Sequence, residues 1–168
     1  MSTGAHGTAS FNGSTIKYTP GTFTPPQWPD PVPFVGVDTF TYELSDGFGG
    51  MTSTATVTVT VQLPAPPVAV DDNANVNKDG SMVSVPVVAN DTHQAGYGVL
   101  VIDVSAPSSG DGNSATPATA LIDPGAQSIT YTSPDPSFLG DADSFTYTIR
   151  DPYMQSAIAT VHINNIGP

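Results

Sequence analysis

The chain has 168 residues, no cysteine and a formal net charge of −12, with only three lysines and arginines against fifteen acids. Nucleic acid is therefore excluded as a partner, because binding to phosphates requires basic side chains that displace counterions. The lack of cysteine excludes a disulfide framework and thiolate metal sites. No stretch approaches the roughly twenty apolar residues that span a bilayer, so membrane insertion is also excluded.

The first part of the chain alternates short β patterns with turns rich in proline and glycine. Residues 8–11 and 14–19 predict a hairpin around Asn12-Gly13, a strong signal for a two-residue turn. A long proline-rich loop, which carries the only tryptophan, is predicted at 21–36. Two strands follow at 38–44 and 52–63, where aromatic, valine and threonine residues alternate with period two.

The stretch from Leu63 to Asp72 contains three prolines, which forbid a helix and mark a joint. Seven strands are predicted after it, each bounded by residues typical of turns. Their predicted ranges are 68–76, 82–88, 99–104, 118–122, 127–132, 143–150 and 156–163. Turns or loops are predicted around Asp79 and Asp111.

Similar segments occur on both sides of the joint. Residues 38–46 match 143–151, residues 14–20 parallel 128–134, and residues 55–57 parallel 159–161. Seven short alternating strands in a unit of about one hundred residues are typical of an immunoglobulin-like sandwich. The predicted fold class is therefore all-β, with immunoglobulin-like or cadherin-like Greek-key β-sandwich modules in tandem.

The two copies differ in length. Residues 1–63 supply only the C-terminal half of a repeat, residues 64–70 the proline-rich linker and the start of the first strand, and residues 67–168 a complete repeat. Half a sandwich leaves an apolar face and open strand edges. We expect the chain to be a fragment of a longer array, rather than one completed by a partner chain.

Three motifs carry a resemblance to a known family: Pro-Pro-Val-Ala-Val-Asp-Asp at 66–72, Val-Val-Ala-Asn-Asp at 87–91, and the repeated Asp-x-Phe-Thr-Tyr strand. Together they resemble the bacterial Ig-like, cadherin-like tandem repeats of large secreted or surface proteins, including repeats-in-toxin-type adhesins. The resemblance implies an extender or adhesion role, with neighbouring repeats of the same polypeptide, a surface glycan or a surface protein as partners. It also implies a secreted or cell-surface location, and we expect the export signal to lie outside this chain.

Strand directions predict a cluster of oxygen ligands in the complete repeat. Successive strands of such a sandwich run in opposite directions, so one pole gathers Asp71, Asp72, Asn90, Asp91 and Asp151. Carboxylate, amide and carbonyl oxygens are what calcium prefers, and calcium at this pole would stiffen the joint. Two alternatives stay open: these residues act only as solvated turn formers and caps, or Arg150 supplies the countercharge beside Asp151.

Catalysis has little support, since His6, His93 and His162 are far apart in sequence and lie in no nucleophile or zinc motif. We therefore predict that the chain is not an enzyme. Aromatic residues in predicted loops favour an alternative function, that of a carbohydrate-binding accessory module of a secreted polysaccharide-degrading enzyme. The candidate stacking rings are Trp28, Phe48 and Tyr153, although Trp28 also fits a role as a cover for the end of the core.

Overall fold

The computed structural model describes residues 2–77, 81–108, 117–133 and 142–166. Within these ranges all regular structure is β, which confirms the predicted fold class. The chain divides into two compact units, unit 1 at Met1–Pro64 and unit 2 at Ala65–Pro168. The turn predicted at Asp79 and the loop predicted at Asp111 lie outside the described residues.

Unit 1 consists of three antiparallel strand pairs. Its largest pair joins residues 36–44 to residues 53–61, with Phe40 opposite Val57 and Tyr42 opposite Ala55. The proline-rich loop contains the smallest pair and covers the interior with Trp28 and Val32, which are buried together with Phe40. The strands are β1 (Gly7–Phe11), β2 (Ile16–Pro20), β3 (Thr22–Phe23), β4 (Val32–Pro33), β5 (Gly36–Leu44) and β6 (Ser53–Val61).

The first hairpin has a longer turn than the sequence predicts. Phe11 pairs with Ile16, so four residues, 12–15, connect β1 to β2 instead of the two-residue Asn-Gly turn. The reason is the Asn12 side chain, whose Oδ1 accepts hydrogen bonds from the amides of Ser14 (3.2 Å) and Thr15 (2.9 Å). A side chain that satisfies two amides stabilises the wider loop.

Unit 2 is a seven-stranded sandwich of two sheets. One sheet has the strand order β10-β11-β8, and the other has the order β7-β13-β12-β9 with β7 parallel to β13. The strands are β7 (Asp72–Asn77), β8 (Met82–Val85), β9 (Leu100–Val104), β10 (Thr119–Ile122), β11 (Ile129–Thr132), β12 (Ala142–Arg150) and β13 (Ser156–Ile166). Residues 68–71 lie outside β7, although the sequence predicts a strand there; Val68 makes only an isolated bridge to Thr92.

The core of unit 2 is formed by the inward-facing residues of both sheets. On β12 the buried positions alternate with period two, as the sequence predicts, and Phe145, Tyr147 and Ile149 all point inward. The remaining core residues are Val76, Val85, Val87, Val99, Val101, Ala118, Ile129, Tyr131, Ala159, Val161 and Ile163.

Both units contain the same arrangement of a carboxylate, a tyrosine and a phenylalanine. In unit 1 the Tyr18 hydroxyl donates to Asp38 at 2.8 Å and its ring stacks on Phe40. In unit 2 the Tyr131 hydroxyl donates to Asp143 at 2.9 Å and its ring stacks on Phe145. The internal repeat is therefore present in the side-chain contacts as well as in the amino-acid sequence.

The two carboxylates of this arrangement differ in their pKa. Burial alone raises the pKa of Asp143, because its hydrogen bonds from Tyr131 and the amide of Ser144 do not compensate. Burial acts in the same direction on Asp38, but donors that include Tyr18 and the amides of Ala5 and His6 hold its pKa below the ordinary value.

Candidate functional site

The hydroxyl of Tyr147 is the centre of a group of oxygen atoms in unit 2. Its oxygen lies 3.0 Å from the Val70 carbonyl, 3.0 Å from Asp72 Oδ2, 3.2 Å from the Val87 carbonyl and 3.3 Å from Asp91 Oδ1. A single hydroxyl proton serves one or two acceptors. At least two of these oxygens therefore face the hydroxyl oxygen without a hydrogen between them.

The excess of oxygen atoms affects the ionisation of this group. Burial, together with the charge of Asp91, raises the pKa of Asp72, although the bond from Tyr147 acts in the opposite direction. Burial also raises the pKa of Asp91 against the bonds from the Val70 amide and Tyr147. Burial and the two carboxylates raise the pKa of Tyr147, so its hydroxyl keeps its proton. A bound proton or a cation would stabilise this group of oxygens.

Two other predicted ligands, Asn90 and Asp71, lie at the same end of unit 2, where their side chains form hydrogen bonds with backbone groups. Asn90 donates from Nδ2 to the carbonyls of Val70 and Asp71, both at 3.3 Å. The Asp71 carboxylate accepts the Thr160 amide at 2.8 Å and lies 3.9 Å from His162 Nε2 in an exposed pair. These contacts fit the alternative in which the residues cap backbone groups.

Asp151, the fifth predicted ligand, is fully buried and has its own set of partners. Its Oδ1 accepts the amides of Tyr153 (2.9 Å) and Gln155 (2.8 Å). Its Oδ2 lies 3.0 Å from both Gln155 Nε2 and His93 Nε2. His93 is the basic residue in contact with Asp151, and no ion pair between Asp151 and Arg150 is found among the described residues, so Arg150 does not supply the countercharge that the sequence suggests.

His93 is a residue that the sequence does not single out, because it lies in no nucleophile or zinc motif. Its side chain is fully buried. Its Nδ1 accepts the amide of Ala95 at 3.2 Å, which leaves the ring proton on Nε2 to be donated to Asp151. His93 and Asp151 are 58 positions apart in the sequence, so no local motif reveals this pair.

The three candidate stacking rings have different environments. Phe48 is 93 % exposed, in the turn between β5 and β6. Tyr153 is partly buried and packs edge-on against Tyr97, with ring centroids 5.8 Å apart. Trp28 is only 6 % exposed, so its ring is not presented to solvent. Of the two roles that the sequence left open for Trp28, the structure shows the one in which it covers the interior.

Calcium binding at the joint stays a prediction. Among residues 2–77, 81–108, 117–133 and 142–166, no three histidine or acidic side chains are grouped so as to hold one ion. The two carboxylates and two carbonyls around Tyr147 are donors of the type that calcium takes. With one oxygen from each carboxylate they supply four, fewer than the six to eight that calcium prefers, so further ligands would be required.

The raised pKa values of Asp72 and Asp91 predict that unit 2 gains stability on mild acidification. A carboxyl group with a raised pKa in the folded state contributes stability that is fully present below its unfolded pKa of about 3.9 and is lost as the pH rises through the folded value. In calcium-free buffer at pH 7, Asp72→Asn is expected to stabilise unit 2 by at most about 1 kcal/mol, allowing for solvent screening. Urea unfolding from pH 7 to pH 5 measures this effect.

The control is Asp103→Asn, which removes an exposed carboxylate of β9. Asp72→Asn is expected to flatten the rise in stability on acidification, whereas Asp103→Asn leaves it unchanged. An Asp72→Asn variant that is less stable than the parent at pH 7, or that keeps the full pH dependence, contradicts the prediction.

The two sheets of unit 2, its Greek-key strand order and its single core define an immunoglobulin-like β-sandwich. The sequence profile of the bacterial Ig domain family (Big_9) matches residues 1–60 and again residues 64–164. The chain therefore belongs to the bacterial Ig domain family. No curated protein matches it in sequence.

Two solved structures share a distant likeness with the chain. One is the endo-fucoidan hydrolase MfFcnA4 of glycoside hydrolase family 107, with 18 % identity, 80 % of this chain and 19 % of that chain covered, and a TM-score of 0.43. The other is a nucleoside hydrolase-related protein from Saccharophagus degradans associated with carbohydrate metabolism, with 17 % identity, coverages of 61 % and 26 %, and a TM-score of 0.43. The chain spans only about a fifth to a quarter of their lengths.

None of the described residues forms a helix long and apolar enough to cross a membrane.

Proposed function

We propose that this chain is a non-catalytic extender of a long bacterial surface or secreted protein, of the kind found in repeats-in-toxin-type adhesins. The observation that carries the proposal is the occurrence of two successive bacterial Ig domain matches in one chain. Repeated modules that are linked end to end lengthen a protein by a fixed step per module. The role of such an array is to extend and position another part of the polypeptide, next to neighbouring repeats.

The segment between the two matches supports this proposal. Pro64, Pro66 and Pro67 lie within four positions, and proline-rich linkers act as semi-rigid spacers. Directly after them, the Val70 amide donates to Asp91 Oδ1 at 2.8 Å and the Val68 amide donates to the Thr92 carbonyl at 2.8 Å. The last residues of the linker are therefore hydrogen-bonded to unit 2.

Calcium binding at the joint is the second part of the proposal. Asp72 and Asp91 would hold the ion, with the Val70 and Val87 carbonyls and Asn90 nearby. A cation beside Asp72 and Asp91 would balance two carboxylates that the fold has buried in part. Its chemical role would be to link the end of the linker to unit 2 and so to stiffen the joint.

A calcium titration tests this part. With the millimolar affinity typical of extracellular modules, about 10 mM calcium is expected to raise the melting temperature of the full chain by about 5 °C or more. The double variant Asp71→Ala with Asp72→Ala is expected to lose this shift, and Asp103→Ala to keep it. An unchanged melting temperature in all three proteins would rule out calcium at the joint.

A carbohydrate-binding accessory role remains the alternative. Its support is the exposed ring of Phe48, since Trp28 is buried and Tyr153 is packed against Tyr97. Affinity electrophoresis in polysaccharide gels separates the two functions: retardation that Phe48→Ala abolishes favours the accessory role, and equal mobility with and without polysaccharide favours the extender.

A further inference from the structure

The turn between β1 and β2 carries the one Asn-Gly pair of the sequence, and both residues of the pair are exposed. The φ of Gly13 is +100°, in the left-handed region, and a Cβ atom placed on Gly13 would meet no atom within 4 Å outside the adjacent residues. Because glycine has no side chain and adopts such angles easily, the peptide unit between Asn12 and Gly13 can rotate without steric hindrance.

The amide of Gly13 differs from the two amides that follow it. Those of Ser14 and Thr15 donate to Asn12 Oδ1 at 3.2 Å and 2.9 Å, and the Thr15 hydroxyl donates to the same oxygen at 3.0 Å. No acceptor for the Gly13 amide is found among residues 2–77, 81–108, 117–133 and 142–166. The side-chain carbonyl of Asn12 therefore has three donors on its oxygen, whereas the backbone nitrogen that follows it in the chain is not engaged.

We propose that Asn12 is a site of spontaneous modification, at which the side-chain amide is lost through a cyclic imide formed with Gly13. The Gly13 nitrogen loses its proton to water and attacks Asn12 Cγ, and the electron pair of the carbonyl moves to Oδ1. Collapse of this intermediate breaks the bond between Cγ and Nδ2, and Nδ2 takes up a proton and leaves as ammonia. One water then opens the ring: addition at Cγ gives aspartate, and addition at the backbone carbonyl gives isoaspartate.

The donors on Oδ1 favour the first step of this reaction. As the nitrogen attacks, Oδ1 acquires negative charge, and a hydrogen bond to a charged acceptor is stronger than one to a neutral carbonyl. The amides of Ser14 and Thr15 are already directed at this oxygen, as the donors of an oxyanion hole are. The turn therefore stabilises the charged intermediate more than it stabilises the intact asparagine.

Unit 2 has a carboxylate at the same position of its corresponding turn. Asp123 follows β10 directly, and its amide donates to the Ser128 carbonyl at 3.0 Å, as the Asn12 amide donates to the Thr15 carbonyl at 3.2 Å. The Ser128 hydroxyl donates to Asp123 Oδ2 at 2.6 Å, just as the Thr15 hydroxyl donates to Asn12 Oδ1. A turn of this kind consequently accommodates the aspartate that the reaction forms.

The residue after Asp123 prevents the same chemistry in unit 2. It is Pro124, whose ring nitrogen carries no hydrogen, so it cannot close the imide. Pro124 and Gly125 are exposed although β11, which follows this turn, is paired on both of its edges. A turn at this position is therefore open to water in a complete sheet also, so the proposal does not depend on which strands flank β2.

Peptide mapping by mass spectrometry tests the proposal on the folded full chain. Trypsin cleaves after Lys17, and peptide 1–17 contains Asn12 as its only asparagine and no glutamine. After incubation at mildly alkaline pH, this peptide is expected to contain aspartate and isoaspartate at position 12. Asn90 is the internal control: it is also exposed, but the amide of Asp91 after it donates to the Val88 carbonyl at 3.3 Å. Asn12 is expected to convert about tenfold faster than Asn90, or more.

The donors on Oδ1 are tested with two variants of one residue. Thr15→Val removes the hydroxyl and keeps the amide, so it is expected to slow the conversion about fivefold, the factor for one hydrogen bond. Thr15→Ser keeps a hydroxyl and is expected to convert like the parent. Trp28 fluorescence shows whether unit 1 stays folded in both variants. The parent chain in urea, which lacks the turn, provides a second comparison and is expected to convert more slowly than the folded chain.

Three results would overturn the proposal. The first is an unmodified Asn12 in the folded chain under conditions in which the chain in urea converts, since the turn would then hold the side chain away from Gly13. The second is equal conversion of Asn12 and Asn90. The third is a folded Thr15→Val variant that converts as fast as the parent, since the donors on Oδ1 would then take no part in the reaction.

Discussion

Asp151→Ala is expected to destabilise unit 2 by roughly 3 kcal/mol or more, because each buried donor that loses its acceptor costs about 1–3 kcal/mol. The carboxylate is 0 % exposed and accepts from two backbone amides, from Gln155 Nε2 and from His93 Nε2. Alanine removes this acceptor for all four donors, and burial prevents water from replacing it. Urea unfolding followed by circular dichroism measures the loss.

The internal repeat provides a matched control for this substitution. Asp46 occupies the equivalent turn of unit 1 and accepts the Phe48 amide at 3.0 Å, as Asp151 accepts the amide of Tyr153. Asp46 is exposed, so Asp46→Ala is expected to cost no more than about 0.5 kcal/mol. Asp151→Asn keeps one acceptor oxygen and is expected to fall between the two alanine variants. Equal losses for Asp151→Ala and Asp46→Ala would contradict the role given to the buried carboxylate.

Ile149→Ala and Leu44→Ala are expected to differ by several kcal/mol, although the two residues occupy the same position of the repeat. Ile149 is fully buried in the core of unit 2, and its truncation is expected to cost about 2–5 kcal/mol. Leu44 is 58 % exposed, so its truncation is expected to cost about 0.5 kcal/mol or less. The difference in cost measures what the complete burial of this position contributes to the stability of unit 2.

The unfolding of unit 1 and the unfolding of unit 2 can be followed with separate probes. The only tryptophan, Trp28, is buried in unit 1, so its fluorescence follows the unfolding of that unit. Hydrogen exchange of the β12 amides follows unit 2. A loss for Leu44→Ala as large as that for Ile149→Ala would contradict the prediction, because it would show that the Leu44 side chain is covered.

Local patterns predicted the strands well and the contacts between distant residues poorly. The alternation in residues 143–150 and 156–163 places β12 and β13 within a few residues of their observed bounds, because alternation depends only on neighbouring residues. The group around Tyr147 was predicted only in part. Strand direction predicts that Asp72 and Asp91 lie at one end, but it does not predict that the Tyr147 hydroxyl lies between them.

Asp151 shows the limit of the same reasoning. Strand direction placed it correctly at the end of β12, yet its carboxylate turns to the amides of its own hairpin and to His93. The partners of a side chain depend on its burial and on local geometry, and strand order determines neither of them. For the same reason, the composition of the proline-rich loop does not decide that Trp28 is buried, and that of the turn between β5 and β6 does not decide that Phe48 is exposed.

The sequence by itself determined the all-β immunoglobulin-like class and the internal repeat, because period-two alternation, turn residues and repeated motifs are local properties of the chain. Only the tertiary structure decided which of two similar strands is covered, which carboxylates are buried, and which histidine meets an aspartate. These outcomes depend on the neighbours that each strand finds across the sandwich. β6 and β13 carry the same pattern, but Val161 and Ile163 of β13 are fully buried, whereas Val57 and Val59 of β6 are only partly buried.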